Sequence, residues 1–297
     1  MSASAAVQLP AYLRCGPYCL SLDRPLIMGI VNVTPDSFSD GGRYLDARAA
    51  VEHGQTLIEQ GADILDVGGE STRPGAQPVP LDEERRRVIP VIEALARCGR
   101  PVSIDTRKPE LMAEAIAAGA SLVNDVDALE EPRALATVSR ASIAVCLMHK
   151  QGDPRTMQRN PHYDDVVSEV RDYLGSRVQA AVQAGIARDR IVIDPGFGFG
   201  KTQEHNIALL RNLSVLTCLG VPVLAGLSRK AMLGTITGRA APDRVHASVA
   251  AALFAAERGA RILRVHDVTE TRDALAVWWT LRDTIGDSRE TPAGTSE

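Results

Sequence analysis

The regular alternation of short apolar runs with longer amphipathic segments constrains this sequence most. Eight nearly continuous apolar runs occur at 27–31, 63–67, 102–105, 121–124, 143–147, 191–194, 223–227 and 261–265. Such runs favour parallel strands that are covered on both faces. Helices are predicted between and after them, at 47–60, 82–98, 108–118, 131–139, 164–184, 204–218, 243–258 and 270–283. Eight strand–helix units predict an α/β fold of the (β/α)8 TIM barrel type, which typically takes ~250 residues.

Glycines mark the ends of many predicted helices, where a left-handed residue commonly stops a helix. They are Gly61, Gly99, Gly119, Gly185, Gly220 and Gly259. A doubly wound open sheet is the competing fold. The count of eight strands favours the barrel.

The chain of 297 residues shows no composition break, which predicts a single domain. Residues 1–24 are predicted to be an N-terminal extension with a short hairpin at 13–24, and residues 25–284 form the barrel. Residues 285–297 are rich in Ser, Thr, Glu and Pro, which predicts a disordered tail.

Charge and cysteine content argue against several classes of protein. The net charge of −4 disfavours broad nucleic-acid binding, which usually needs a basic surplus. No run approaches the ~20 apolar residues of a membrane span, and the first twelve residues lack the basic start of a signal peptide. Cys15 and Cys19 are not joined by a second pair at metal-site spacing, so neither a metal site nor a disulfide is expected. We expect a cytoplasmic protein without nucleic-acid or membrane partners.

Polar residues lie at or near the carboxyl end of every predicted strand, where active sites of this fold are built. They are Asn32, Asp66, Asp105, Asn124, His149, Asp194, Lys230, and Arg264 with His266. One such residue usually makes a structural hydrogen bond. A polar group at every strand end is hard to explain by packing, because each unpaired buried polar group costs ~1–3 kcal/mol. The pattern therefore predicts an active site at this end of the barrel.

Three loops add to this prediction. The segments 32–42 and 68–76 are long and rich in Gly, Pro or Ser, which is typical of loops that close over a ligand, although plain surface connections remain possible. In DPGFGFGKT (194–202), Pro195 breaks the P-loop pattern and Lys201 breaks the dinucleotide G-x-G-x-x-G pattern. Its glycines predict close approach of the backbone to a flat ligand, with Phe197 or Phe199 as the aromatic face.

Together these segments resemble the dihydropteroate synthases, a family of pterin-binding (β/α)8 barrels. The matching stretches are IMGIVNVTPDSFSDGG (27–42), DVGGESTRPGA (66–76), SIDTRKP (103–109), VNDVDAL (123–129), LMHKQGDPRTMQ (147–158), DPGFGFGKT (194–202), GLSRKAMLG (226–234) and RVHDV (264–268). They occur in family order within residues 13–283. The resemblance implies a transferase of folate biosynthesis. In it, 4-aminobenzoate displaces pyrophosphate from 6-hydroxymethyl-7,8-dihydropterin diphosphate to give 7,8-dihydropteroate.

The resemblance also implies the role of each site residue. The pterin would contact Asp105, Asn124, Asp194 and Lys230, and 4-aminobenzoate would contact Phe38, Thr72, Arg73, Pro74 and Phe199. Pyrophosphate would contact Asn32, Arg264 and His266, with Mg2+ as cofactor and Asn32 as its protein ligand. The catalytic residues would be Asp105, Lys230, Arg264 and His266, with Asp105 stabilising a pterin cation as the diphosphate leaves. These residue types suit the chemistry, because a carboxylate accepts two hydrogen bonds from an amino-pyrimidine edge.

Two positions depart from the family pattern. Ala231 stands where many relatives have Ser, so backbone N–H groups at the next helix start must hold the aminobenzoate carboxylate. We expect binding weaker by ~1 kcal/mol. Lys150 follows LMH where an uncharged residue is frequent, and we expect its side chain to be exposed. His149 itself is expected to be structural and to orient a neighbouring loop.

Two other functions are compatible with a pterin-binding barrel. A methyltetrahydrofolate-binding methyltransferase should lack the Thr72-Arg73-Pro74 and Arg264-Val265-His266 segments, which are present here. A non-catalytic pterin-binding paralog should have lost loop or anion residues. The resemblance further implies a homodimer and a target of sulfonamides. The apolar run at 246–260 suits a dimer interface, or equally a helix buried against its own barrel.

Overall fold

The chain forms a closed barrel of eight parallel strands, preceded by an antiparallel hairpin, in a computed structural model that describes residues 9–33, 43–71, 75–153 and 156–286. The hairpin strands are β1 (Tyr12–Cys15) and β2 (Tyr18–Ser21). The barrel strands are β3 (Leu26–Asn32), β4 (Ile64–Gly68), β5 (Val102–Asp105), β6 (Leu122–Asp125), β7 (Ala144–Met148), β8 (Ile191–Asp194), β9 (Val223–Ala225) and β10 (Ala260–Val265). Sequential strands pair with each other, and β10 closes on β3. The predicted TIM barrel is confirmed, and the open-sheet alternative is wrong.

Helices connect the strands and cover the barrel. They are α1 (Arg43–Gln60), α2 (Leu81–Leu95), α3 (Pro109–Ala117), α4 (Pro132–Arg140), α5 (Val166–Gln183), α6 (Gln203–Arg211), α7 (Ala231–Thr237), α8 (Val245–Glu257) and α9 (Val268–Gly286). The segments predicted at 82–98 and 204–218 end in 3-10 turns, at Ala96–Cys98 and Leu213–Leu219. Helix α7 is missing from the predicted helices, although a helix start after Lys230 was expected, because its two turns contain Gly234 and show too little apolar periodicity.

The interior of the barrel changes from apolar to polar along its axis. Apolar side chains from seven of the eight barrel strands pack with Leu13, Cys15 and Leu22 of the hairpin segment into one buried cluster. Since alternate residues of a strand face the same side, the next inward position lies two residues further on. The resulting apolar–polar pairs are Ile64 and Asp66, Leu122 and Asn124, Val192 and Asp194, and Ile262 and Arg264. The hairpin thus plugs the amino end of the barrel, and polar groups collect at the carboxyl end.

Local details support the sequence reading of helix ends and cysteines. The six glycines predicted to end helices have φ between +69° and +108°, so each adopts the left-handed conformation that glycine tolerates best. All five cysteines, including Cys15 and Cys19, are free thiols. Within the described ranges, no helix is both long and apolar enough to cross a membrane.

Candidate active site

Arg264 connects carboxylates from two other strands at the carboxyl end of the barrel. Its Nε donates to Oδ2 of Asp66 at 2.6 Å, and its Nη2 donates to Oδ2 of Asp105 at 2.9 Å. Asn124 donates from Nδ2 to the same Asp66 oxygen at 3.2 Å. Asp105 and Asn124 also stand side by side in the register of β5 and β6. Three predicted residues, Asp105 and Asn124 for the pterin and Arg264 for pyrophosphate, therefore belong to one connected network with Asp66.

Burial makes the charges of this network sensitive to their neighbours. Burial, followed by the nearby charge of Asp66, raises the pKa of Asp105 to about 7, while Arg264 acts in the opposite direction. Burial works against the positive charge of Arg264, but Asp66 and Asp105 raise its pKa. A carboxyl group with a pKa near neutrality inside a polar cavity is a common mark of a functional site.

Asp66 has a larger part in the site than the sequence indicated. Its side chain is fully buried, and its Oδ1 accepts no hydrogen bond from the part of the chain that the structure describes. From the sequence, Asp66 was placed at a strand end and given no role. In the structure it lies in the middle of β4 and accepts hydrogen bonds from both Arg264 and Asn124. An unsatisfied buried oxygen costs ~1–3 kcal/mol, which indicates that a ligand or water completes the site.

Asp194 ends β8, and the charges of Lys230, Arg264 and Lys201 act on it. Burial raises its pKa, and the Gly196 N–H, Lys230 and Arg264 oppose that shift. The Gly196 N–H donates to Oδ1 of Asp194 at 2.7 Å. Lys230 places its Nζ 4.4 Å from the centre of the Phe199 ring. Phe197 is instead fully buried in the core, so Phe199 is the aromatic residue beside the site.

The end of β10 and the loop after β9 orient His266. The backbone N–H of His266 donates to Oγ of Ser228 at 3.2 Å, and the same Oγ lies 3.0 Å from Nδ1 of His266. When this hydroxyl donates its proton to Nδ1, the neutral imidazole carries its own proton on Nε2 and can donate it to an anion. Sequence reasoning missed Ser228, although it is part of the SRK motif.

Arg229 fixes the turn that carries Lys230. It has a positive φ of 59°, an uncommon conformation for a residue with a side chain. Its guanidinium pairs with Asp267, and its backbone N–H donates to Oγ of Ser248 at 2.9 Å. These contacts join the loop after β9 to the end of β10, so Lys230 and His266 are held relative to each other.

The second long loop is anchored by an ionic cluster that the sequence did not reveal. Nζ of Lys108 donates to Glu70 at 2.6 Å and to the carbonyl oxygen of Val79 at 2.8 Å, and it also pairs with the buried Glu84. A cleft lined by Glu70, Glu84 and Asp105 opens beside this cluster. Lys108 was not predicted because it lies three positions beyond the strand end at Asp105.

Four predicted aminobenzoate residues, Phe38, Thr72, Arg73 and Pro74, lie outside the described residues. Asn32, the predicted Mg2+ ligand, ends β3 and pairs in register with Gly68. No group of three or more His, Cys, Asp or Glu side chains suited to a metal occurs within the described ranges. One neutral amide oxygen does not bind Mg2+ alone, but Mg2+ commonly binds through waters and substrate phosphates. The donor set therefore fits a cation that arrives with a diphosphate.

Three further expectations concern residues near the site. Lys150 was expected to be exposed, which is wrong: its side chain is 17% exposed and its Nζ lies 2.8 Å from Asp127. The neighbouring carboxylate keeps it against the protein. His149 is buried and contacts Lys201, as expected for a residue that orients a loop. Ala231 begins α7, as the predicted helix start requires.

Comparison with known proteins gives a consistent family. The sequence model of the pterin binding enzymes matches residues 28–266. The dihydropteroate synthase of Neisseria meningitidis serogroup B is 53% identical over 272 residues, covering 89% of this chain and 95% of that protein.

Solved structures agree with this match. The dihydropteroate synthase of Xanthomonas albilineans with 4-aminobenzoic acid superimposes with a TM-score of 0.87 and 56% identity, covering 92% of this chain and 98% of that one. The same enzyme in complex with 7,8-dihydropteroate gives a TM-score of 0.82 and 50% identity, with coverage of 92% and 99%. Matches of this extent and identity show that the chain belongs to the pterin-binding enzyme family, among its dihydropteroate synthases.

Proposed function

We infer that this chain condenses 6-hydroxymethyl-7,8-dihydropterin diphosphate with 4-aminobenzoate to give 7,8-dihydropteroate and pyrophosphate in folate biosynthesis. The observation that carries this inference is the network of Arg264, Asp66, Asp105 and Asn124 inside the barrel of a dihydropteroate synthase. In the reaction the exocyclic carbon of the pterin loses its C–O bond to the diphosphate. A C–N bond forms to the arylamine, which then releases one proton.

We propose that Asp194, Asn124 and Lys230 bind the pterin ring. The Asp194 carboxylate can accept hydrogen bonds from an amino group and a ring N–H, and Asn124 offers a donor and an acceptor. Lys230 can donate to a ring carbonyl. Burying such a polar heterocycle without partners would cost several kcal/mol, so these three side chains also set the specificity of the site.

The diphosphate end of the substrate is assigned to Asn32, Arg264 and His266. The Ser228 hydroxyl supports an His266 tautomer with its proton on Nε2, and Arg264 supplies a fixed positive charge. Donors that face the leaving group favour the transition state, because charge develops there. Mg2+, held through Asn32 and the diphosphate, would add positive charge at the leaving group.

Asp105 is proposed to act on the carbon that loses the diphosphate. In a dissociative reaction this carbon becomes part of a pterin cation, which an ionised carboxylate nearby would stabilise. The arylamine of 4-aminobenzoate is neutral at pH 7 and needs no strong base for its attack. Asp105 is therefore assigned to charge stabilisation, with Arg264 keeping it in position at 2.9 Å.

The aminobenzoate subsite is proposed to include Phe199 together with Phe38, Thr72, Arg73 and Pro74. Phe199 supports this because its ring lies beside Lys230, next to the proposed pterin site. The absence of a hydroxyl at Ala231 leaves backbone N–H groups to hold the carboxylate, and the expected loss of ~1 kcal/mol stays a prediction. Binding of sulfonamides, which carry a similar arylamine, and the cytoplasmic location also stay predictions.

A homodimer is proposed through the last two helices. In α8, Ser248, Ala251, Ala252 and Ala255 are buried against the protein itself, which supports the alternative reading for most of the 246–260 run. Phe254 of α8 and Val277 and Leu281 of α9 are exposed, the last two by 61% and 60%. Large apolar side chains exposed on adjacent helices favour a contact with a second chain.

Turnover by the purified chain tests the proposed function. The assay measures 7,8-dihydropteroate and pyrophosphate from the dihydropterin diphosphate and 4-aminobenzoate with Mg2+, for the wild type and for Asp105→Asn. We expect equal amounts of both products and a loss of at least 100-fold in the variant. Pterin binding by calorimetry without any turnover would favour the non-catalytic paralog. Neither turnover nor pterin binding would contradict the assignment of the site.

A further inference from the structure

The loop from Asp194 to Lys201 is folded tightly against the residues that follow β7. Gly196, Gly198 and Gly200 all have positive φ, between 62° and 81°. A Cβ on Gly196 would lie 1.9 Å from the carbonyl oxygen of His149, and one on Gly200 would lie 2.3 Å from that of Gln151. The backbone of the loop therefore lies so close to the residues after β7 that there is no room for a side chain at Gly196 or Gly200.

Lys201 ends this loop with its ammonium group pointing back into it. The residue is 3% exposed, and its Nζ donates to the carbonyl oxygens of Gly196 and Phe199, each at 3.0 Å. Nδ1 of His149 lies 2.8 Å away, and the carbonyl oxygen of His149 lies at 3.4 Å. The three N–H groups of the ammonium thus meet three near acceptors, two within the loop and one on the opposite segment.

Burial lowers the pKa of both His149 and Lys201 in this arrangement. Burial, and then the charge of Lys201, lowers the pKa of His149 to about 3, so the imidazole is neutral and can accept through Nδ1. Burial also lowers the pKa of Lys201 to about 7, with Asp194 opposing and Lys230 adding to the shift. The ammonium therefore predominates below neutral pH, and it is the form that supplies a donor to each acceptor. A side chain without an N–H donor at this position would leave the carbonyl oxygens of Gly196 and Phe199 without this partner inside the protein.

Two further polar groups of the loop also have hydrogen-bond partners. The Gly198 N–H donates to Oδ1 of Asn206 at 2.7 Å, and Oη of Tyr163 donates to the carbonyl oxygen of Gly200 at 2.8 Å. These contacts hold the outer side of the loop. Lys201 is the group that joins its inner side, at Gly196 and Phe199, to His149.

The two residues tied by Lys201 support groups at the proposed pterin subsite. The Gly196 N–H donates to Asp194, and the ring of Phe199 lies beneath the Lys230 ammonium. The positive charge of Lys201 also favours the ionised form of Asp194. Loss of this charge should both loosen the loop and weaken the carboxylate as an acceptor.

We propose that Lys201 is a positioning residue of the pterin subsite, whose buried ammonium joins Gly196 and Phe199 to His149 and so aligns Asp194 and Phe199. The proposal rests on the proposed function, because it assigns the pterin to Asp194. Lys201 touches no reacting atom in this arrangement. Its effect should therefore appear in pterin affinity, with little change in the rate of the bound complex.

Lys201→Met tests the proposal, because it keeps the length of the aliphatic stem and removes the ammonium. Lys150→Met is the matched control, since Lys150 pairs with Asp127 outside the loop. The dissociation constant of the dihydropterin diphosphate is measured by calorimetry, and KM and kcat by the synthase assay. We expect at least tenfold weaker binding and a higher pterin KM for Lys201→Met, with kcat at saturation within about threefold. Lys150→Met should match the wild type.

A folded Lys201→Met that binds the pterin within twofold of the wild type would overturn the proposal. If that variant does not fold, the pterin affinity of His149→Ala tests the proposal instead, because this substitution removes one acceptor and keeps the ammonium. A pterin affinity at least threefold weaker in a folded His149→Ala supports the proposal, and unchanged affinity overturns it. Failure of the wild type itself to bind the pterin would overturn the proposed function instead.

Discussion

Asp105 carries a pH dependence that follows from its surroundings. Burial and Asp66 raise its pKa to about 7, so its carboxylate form is lost as the pH falls below neutrality. The same pKa shift determines how the free energy of unfolding changes with pH. Because the folded pKa exceeds the unfolded one, the contribution of Asp105 to the free energy of unfolding is fully present below about pH 4, where both states are protonated. That contribution is lost as the pH rises through 7.

We predict that kcat/KM for the dihydropterin diphosphate falls about tenfold per pH unit below neutrality, because only the ionised Asp105 stabilises a cation. Rate measurements from pH 5 to 8.5 on the wild type and Asp105→Asn check this. The variant should lose this acid limb along with most of its activity. An identical acid limb in Asp105→Asn would assign the titration to another group.

At the residue scale, the site residues that could be predicted are those whose position follows from the two-residue repeat of a strand. Asn124, Asp194 and Arg264 each follow an interior apolar residue by two positions, so position along the strand was enough to find them. Lys201 and Lys108 were missed because each acts through a long side chain that returns from a loop. Their partners, such as Glu84 and the carbonyl oxygen of Gly196, lie far away in sequence or on the backbone. Only the folded chain brings those groups together.

At the scale of elements, all eight barrel strands were predicted within one or two residues, because continuous apolar runs leave few alternatives. Helix ends were predicted less accurately where a helix passes into a 3-10 turn, as at Leu213–Leu219. The 3-10 turn differs from the α-helix in its backbone hydrogen bonding, which the hydrophobic pattern does not show. The role of the hairpin as a plug was also missed, since its partners come from seven different barrel strands that are distant in sequence.

The hairpin contributes measurable stability through Leu13. This side chain is fully buried in the barrel interior, whereas the neighbouring Tyr12 is 51% exposed. We predict that Leu13→Ala lowers the free energy of unfolding by about 2–5 kcal/mol, through lost burial and the cavity that remains. Tyr12→Ala should change it by less than about 0.5 kcal/mol. Urea unfolding of both variants measures the difference, and equal effects would contradict a plug formed by the hairpin.

At the scale of the whole molecule, the exposed apolar residues of α8 and α9 form the proposed dimer interface. One charged substitution there should make the dimer dissociate. Leu281→Glu should shift sedimentation velocity from a dimer toward a monomer, because the carboxylate would be buried without a partner. Val182→Glu is the control, since Val182 is 38% exposed on α5. A wild-type monomer, or a dimer unaffected by Leu281→Glu, would contradict an interface at these helices.

The most direct test of the central claim is a crystal structure of this protein with bound 7,8-dihydropteroate. We predict that the pterin ring lies inside the carboxyl end of the barrel. Its amino-pyrimidine edge should lie within hydrogen-bond distance of Asp194 and Asn124, and Lys230 should face the ring carbonyl. The aminobenzoyl group should extend past Phe199. A pterin bound outside the barrel mouth, or one without contact to Asp194, would contradict the assignment of the active site.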